Sequence, residues 1–113
     1  MQYSFNLYNS LAPTGALMAL NALLAGEKEP PVVLCIGSDL VIGDALGPIT
    51  GTLIKSKTEG IPCYIYGCLA SPVTAKEVKY VNAFLRRTHR GRKVIAIDAA
   101  VGEAGDIGLI KIS

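Results

Sequence analysis

Pro31-Val32-Val33-Leu34-Cys35-Ile36-Gly37-Ser38-Asp39 is the stretch on which the fold turns, and Leu40-Val41-Ile42-Gly43-Asp44-Ala45-Leu46-Gly47-Pro48 comes directly after it. A short, uninterrupted apolar run that stops at a glycine suits a strand buried on both faces. Beyond the loop, Leu46, Ile49, Leu53 and Ile54 recur at helical spacing within residues 45–57, which completes a β-loop-α unit. The pattern then repeats. Residues 61–66 read as a second strand, 74–88 as a helix with Val78, Val81, Phe84 and Leu85 on one face, and 94–97 as a third strand; 107–112 read as a fourth. Strands alternating with helices predict a parallel sheet with right-handed crossovers, a three-layer αβα sandwich.

The bulk composition agrees. A chain of 113 residues is expected to form a single domain, and with 50% hydrophobic and 18% charged residues it has ample apolar surface to bury. Residues 1–30 are expected to hold an N-terminal helix, and residues 31–113 the αβα region. Within 1–30, the segment 16–25 (ALMALNALLA) has the length of a signal-peptide core. No Lys or Arg precedes Lys28, however, and Asn21 interrupts it. It is also shorter than the roughly 20 apolar residues a bilayer requires. It reads as a helix with Pro13 and Thr14 near its start and Gly26 at its stop. A net charge of +2 without a concentrated basic face argues against nucleic acid as a partner. Three cysteines, Cys35, Cys63 and Cys68, without CxxC spacing fit reduced thiols in a cytoplasmic compartment.

Ligands of doubly wound sheets bind outside the carboxyl ends of the strands, where strand order reverses. In a 2-1-3 order that point lies between the first and third strands. Asp44 comes after the first by a loop and Asp98 ends the third, so both carboxylates converge on the expected crevice. Each has a plain structural use: Asp44 as a helix N-cap, Asp98 as an acceptor for loop amides. Together at one switch point they suit proton work. Asp44 faces the positive end of a helix dipole and Asp98 lies on the floor of an apolar sheet, and environments that differ in this way yield one base and one acid. Two aspartates with water can equally hold a divalent metal. The loop lacks the Gly-Lys-Ser/Thr ending of a phosphate loop, which disfavours a nucleotide. His89 closes the second crossover helix at the opposite edge of the sheet, amid a solvated cluster of Arg86, Arg87, Arg90, Arg92 and Lys93. Cys68 lies near the carboxyl edge, and no base or cation is expected near enough to activate its thiol.

The segments Val33–Asp39, Gly43–Pro48 and Ala96–Ala99 together resemble the spore protease YyaC family of endospore-forming bacteria. That family is similar to the spore germination protease and, more distantly, to the hydrogenase maturation proteases. The resemblance implies a phosphorylase/hydrolase-like αβα fold and an aspartic-type peptidase with Asp44 and Asp98 as catalytic pair. Ser38, Asp39 and Gly43 are the expected substrate-binding positions of the same loop. It implies a peptide or protein substrate and a spore or forespore compartment, and it leaves open whether Asp44 and Asp98 act as a dyad without cofactor or as two ligands of a divalent metal. The rival readings are a non-catalytic binding or structural relic and a metal-dependent maturation-type endopeptidase. Leu40, Val41 and Ile42 are apolar where the family is expected to carry polar residues. Family members continue beyond the fourth strand, and a sheet cut short at Ser113 exposes an edge that invites homo-oligomerisation.

Overall fold

The computed structural model describes residues 2–113. Along the chain lie β1 (Tyr3–Asn6), α1 (Ala12–Leu23), β2 (Val32–Cys35), α2 (Leu46–Lys57), β3 (Ile65–Tyr66), α3 (Val78–Thr88), β4 (Val94–Ile97), a 3-10 turn (Ala104–Asp106) and β5 (Leu109–Ile112). Two compact units result, one of Lys28–Ala100 and one of the residues up to Glu27 together with Val101–Ser113.

The Lys28–Ala100 unit is built on a three-stranded parallel sheet of order β3-β2-β4. This is the expected 2-1-3 order. β2 pairs with β4 from Val32↔Val94 to Cys35↔Ile97 and with β3 at Val33↔Ile65 and Leu34↔Tyr66. Successive strand residues point to opposite faces. Val32, Leu34 and Leu85 of α3 accordingly form one buried cluster, joined by Ile36, Tyr66, Val73 and Val81.

α2 meets the sheet differently from the expected pattern. Leu46, Ile49 and Leu53 are exposed, and the buried face is Gly47, Pro48 and Gly51. The helix approaches so closely that a Cβ on Gly47 would run into the Ile36 backbone, and one on Gly51 into the Gly67 carbonyl. Small residues let the backbones touch, so the large apolar stripe is left outside.

Two elements are shorter than their apolar patterns. β3 begins at Ile65 rather than at 61, since Pro62 has no N–H to give a ladder and Cys63 N–H turns back to the Ile61 carbonyl. α3 begins at Val78 rather than at 74. The Glu77 carboxylate accepts the Thr74 N–H at 3.1 Å and also the Thr74 hydroxyl, while Glu77 N–H donates to the Thr74 carbonyl, which closes a turn ahead of the helix.

In the other unit, β1 and β5 pair antiparallel, Tyr3↔Ile112 to Asn6↔Leu109, as a separate two-stranded sheet. The segment 109–112 is thus a strand, as expected, but not a fourth strand of the parallel sheet. Within the expected helical segment 1–30, a strand precedes the helix. Its sequence Tyr3-Ser4-Phe5-Asn6 alternates half-buried and exposed positions, the pattern of a sheet with one covered face. α1 packs on both strands, and Gly15 makes room for the Phe5 ring.

Gly51→Ala is expected to cost about 2 kcal/mol or more, because the added methyl must displace backbone. Gly105→Ala, where a Cβ meets nothing, should stay within about 0.5 kcal/mol. Urea unfolding of the two variants checks the contrast. The Thr74 hydroxyl holds the exposed Glu77 carboxyl below the usual glutamate range. Its contribution to stability is therefore present above the unfolded value and is lost as pH falls through the lower folded value. Glu77→Gln should flatten the acid limb of the stability curve in that window, as read by thermal melts across the acid range.

Candidate functional site

The carboxyl edge of β2 is the centre of the arrangement. Ile36 N–H donates to the Ile97 carbonyl of β4 at 2.8 Å, and Gly37 N–H donates on the opposite side to the Val73 carbonyl at 2.9 Å. Val73 thereby extends the sheet beyond the end of β3 as a parallel bridge to Ile36. The residue after Ile97 is Asp98, so it leaves β4 beside Ile36 and Gly37.

The loop carrying Asp44 folds back to the same point. Ser38 N–H donates to the Asp44 carbonyl at 2.9 Å, and Asp44 N–H donates to the Val41 carbonyl at 3.1 Å. Gly37 has φ +152°, and a Cβ there would collide with the Asp44 carbonyl oxygen and Pro48 Cδ. Glycine is required by both the backbone conformation and the close approach. The two aspartates thus stand on loops from neighbouring parallel strands at one edge of the sheet.

Neither aspartate has the ordinary structural use open to it. The cap residue of α2 is Ala45, without a side-chain cap bond, so Asp44 does not cap the helix. Among the described residues, neither the Asp44 nor the Asp98 carboxylate enters a hydrogen bond or ion pair. Asp44 is half-buried. Asp98 is exposed rather than set into a sheet floor, because β4 is an edge strand.

Of the other expected site residues, Ser38 is buried and its hydroxyl accepts the Leu40 N–H at 3.1 Å, which shapes the loop. Asp39 is exposed, and Gly43 turns the chain at φ +84°. Leu40 and Ile42 stand almost wholly in solvent. Among the described residues no three His, Cys, Asp or Glu side chains gather to hold a metal ion.

Two shallow concavities lie elsewhere. One, of about 390 Å³, is lined by residues including Lys55, Tyr66, Val81 and Phe84; the other, of about 270 Å³, by residues including Lys55, Cys63 and Tyr64. Neither is lined by Asp44 or Asp98. His89 is buried as the C-cap of α3, with Nε2 2.6 Å from the Tyr66 hydroxyl, and Arg92 lies over the Tyr64 ring. His89 does close α3, but it is packed among Tyr64 and Tyr66 rather than set in the solvated turn expected of its position.

Cys68 departs from expectation. Lys55 Nζ lies 3.8 Å from its sulfur, so a cation does reach this thiol. Helix side chains lean toward the helix N-terminus. Lys55, one turn after the Gly51 contact with Gly67, therefore reaches back toward Cys68. The signal available in the sequence was the spacing of Lys55 from Gly51 on one helix face.

The fold and this edge define an α/β protein with a three-stranded parallel sheet and two unpartnered aspartates on its carboxyl-edge loops. The chain belongs to the family described as "Protein of unknown function (DUF1256)", whose model matches residues 5–113. It is 36% identical over 92 residues to "Uncharacterized protein YyaC" of Bacillus subtilis (strain 168). That match takes in 81% of this chain and 44% of the relative, so the chain spans less than half the relative's length. The resemblance to YyaC holds. No solved structure matches the chain. No described helix is long and apolar enough to cross a membrane.

Since neither carboxylate is engaged, Asp44→Asn and Asp98→Asn are each expected to leave unfolding free energy within about 0.5 kcal/mol of the parent. Urea denaturation tests this. A loss of several times that size would mean the aspartates hold the loops together.

Proposed function

We propose that this chain is the aspartate-bearing part of a sporulation-associated peptidase, acting in the cytoplasm of the spore or forespore. Asp44 and Asp98 together activate a water against a peptide carbonyl. The observation that carries the reading is the parallel pairing of β2 with β4 at Cys35↔Ile97. It brings two loops, each with an unpartnered carboxylate, to the switch point of the sheet, where such folds bind their ligands. A carboxylate that neither caps a helix nor accepts a loop amide is free to take a proton from water. Asp44, just before the α2 N-terminus, serves as the base, and Asp98 supplies the second carboxyl.

The same reading takes the fold to be a phosphorylase/hydrolase-like three-layer sandwich. In support, Leu85 of α3 joins the Val32 and Leu34 face while Gly51 of α2 meets Cys35, the next residue in alternation. Ser38, Asp39 and Gly43 form the rim over which the peptide lies. The outer edge of β4 is the surface for a second copy.

A second reading has one observation in its favour. The concavities around Lys55, lined by Tyr64, Tyr66 and Phe84 among others, suit a non-catalytic domain that binds through those surfaces.

Hydrolysis of a mixed peptide library separates the two. The peptidase reading expects cleavage that falls about 100-fold or more in both Asp44→Asn and Asp98→Asn and is indifferent to a chelator. Chelator-sensitive cleavage would move the reading to a metal enzyme. Equal cleavage by the parent and both variants, or none by a folded parent chain, would reject the aspartate pair as this chain's catalytic group.

A further inference from the structure

Cys35 and Cys68 are free thiols, both buried, at the ends of neighbouring parallel strands. Continuing the register Leu34↔Tyr66 sets Cys35 beside Gly67, so Cys68 is offset from Cys35 by one residue. A Cβ on Gly67, the residue before Cys68, would lie 3.4 Å from Cys35 Cβ, so the backbone that carries Cys68 adjoins Cys35.

Both side chains face α2. A Cβ on Gly51 would touch Cys35 Cβ at 3.3 Å, and Lys55, one turn later on the same helix, reaches the Cys68 sulfur at 3.8 Å. Gly67, at φ +93°, turns the chain so that Cys68 leaves the strand alternation and comes to the Cys35 side. The Cys68 turn is pinned: Cys68 N–H donates to the Ser71 carbonyl and Leu69 N–H to Thr52 Oγ1 of α2. Burial raises the Cys35 thiol above its ordinary range, the neighbouring Cys68 adds to this, and Lys55 opposes it, so all three groups act on one another.

We propose that Cys35, Cys68 and Lys55 form a dithiol redox site that exchanges with small-molecule disulfides of the glutathione class. Cys68, its sulfur bonded by the Lys55 ammonium, attacks one sulfur of the reagent as thiolate and releases one thiol. Cys35 then gives up its proton and attacks the Cys68 sulfur, displacing the second thiol. Two protein thiols become one disulfide, the reagent is reduced to two thiols, and the two protons leave with them. The site does not depend on the aspartate pair.

The test is the Cys63→Ser chain in oxidised glutathione, followed by intact mass and tryptic mapping. The chain should lose two hydrogens, its fragments 29–55 and 58–76 should be joined, and dithiothreitol should separate them. The parent chain should give the same joined fragments with Cys63 still open to alkylation, which makes the result independent of how the variant folds. Lys55→Met should slow closure about tenfold, the scale of one hydrogen bond to a charged group. A glutathione adduct that persists on Cys68, unreacted thiols or a covalent dimer would overturn the pair. An unchanged rate in Lys55→Met would remove Lys55 from the site.

Discussion

The backbone ladder between β2 and β4 is the constraint on which the carboxyl edge depends. Its bonds are local and geometric: Val32 N–H to the Lys93 carbonyl at one end, Ile36 N–H to the Ile97 carbonyl at the other. A parallel ladder starts both strands at one edge and ends them at the other, so the loops leaving Cys35 and Ile97 must emerge together. Slipping the register by one residue would turn Val32 and Leu34 out of the Leu85 cluster. The packing of α3 therefore fixes the same register that brings the Asp44 and Asp98 loops side by side.

A second constraint is the closeness of α2. Gly47 and Gly51 allow the helix to rest on the backbone of Ile36 and Gly67, and Gly37 lets the loop before it close on the Asp44 carbonyl. One consequence is that the loop of residues 36–45 between β2 and α2 closes on itself through the Ser38 N–H to Asp44 carbonyl bond. Another is the Cys35–Cys68–Lys55 grouping, since a helix held farther off would not bring Lys55 to the Cys68 sulfur. The apolar residues of α2 that point away, Leu46, Ile49 and Leu53, are exposed for the same reason.

Much of this was legible in the sequence where the signal was local. The continuous apolar run before Gly37 and the run 94–97 identify β2 and β4, and the β-loop-α repeat leads to their neighbouring positions. The convergence of Asp44 and Asp98 on one edge is a consequence of that order. Other features depended on partners that a local pattern does not name. The segment 107–112 reads as a strand, but its pairing with Tyr3–Asn6 joins opposite ends of the chain. Helical periodicity pointed to the large residues of α2, whereas the sheet selects the small ones because backbone contact fills the space. At Thr74, a side-chain turn with Glu77 competes with the helix and delays its start. The exposure of Asp98 results from β4 being an edge strand, which depends on strands elsewhere and not on the run 94–97 itself.

The most direct measurement is a nuclear Overhauser map of the backbone amides at this edge. The account predicts contacts linking the Ile36 amide to Ile97 and Asp98, together with contacts linking the Ser38 amide to Asp44. An antiparallel pattern between β2 and β4, or a Ser38 amide that shows no contact with Asp44, would contradict it and separate the two aspartates.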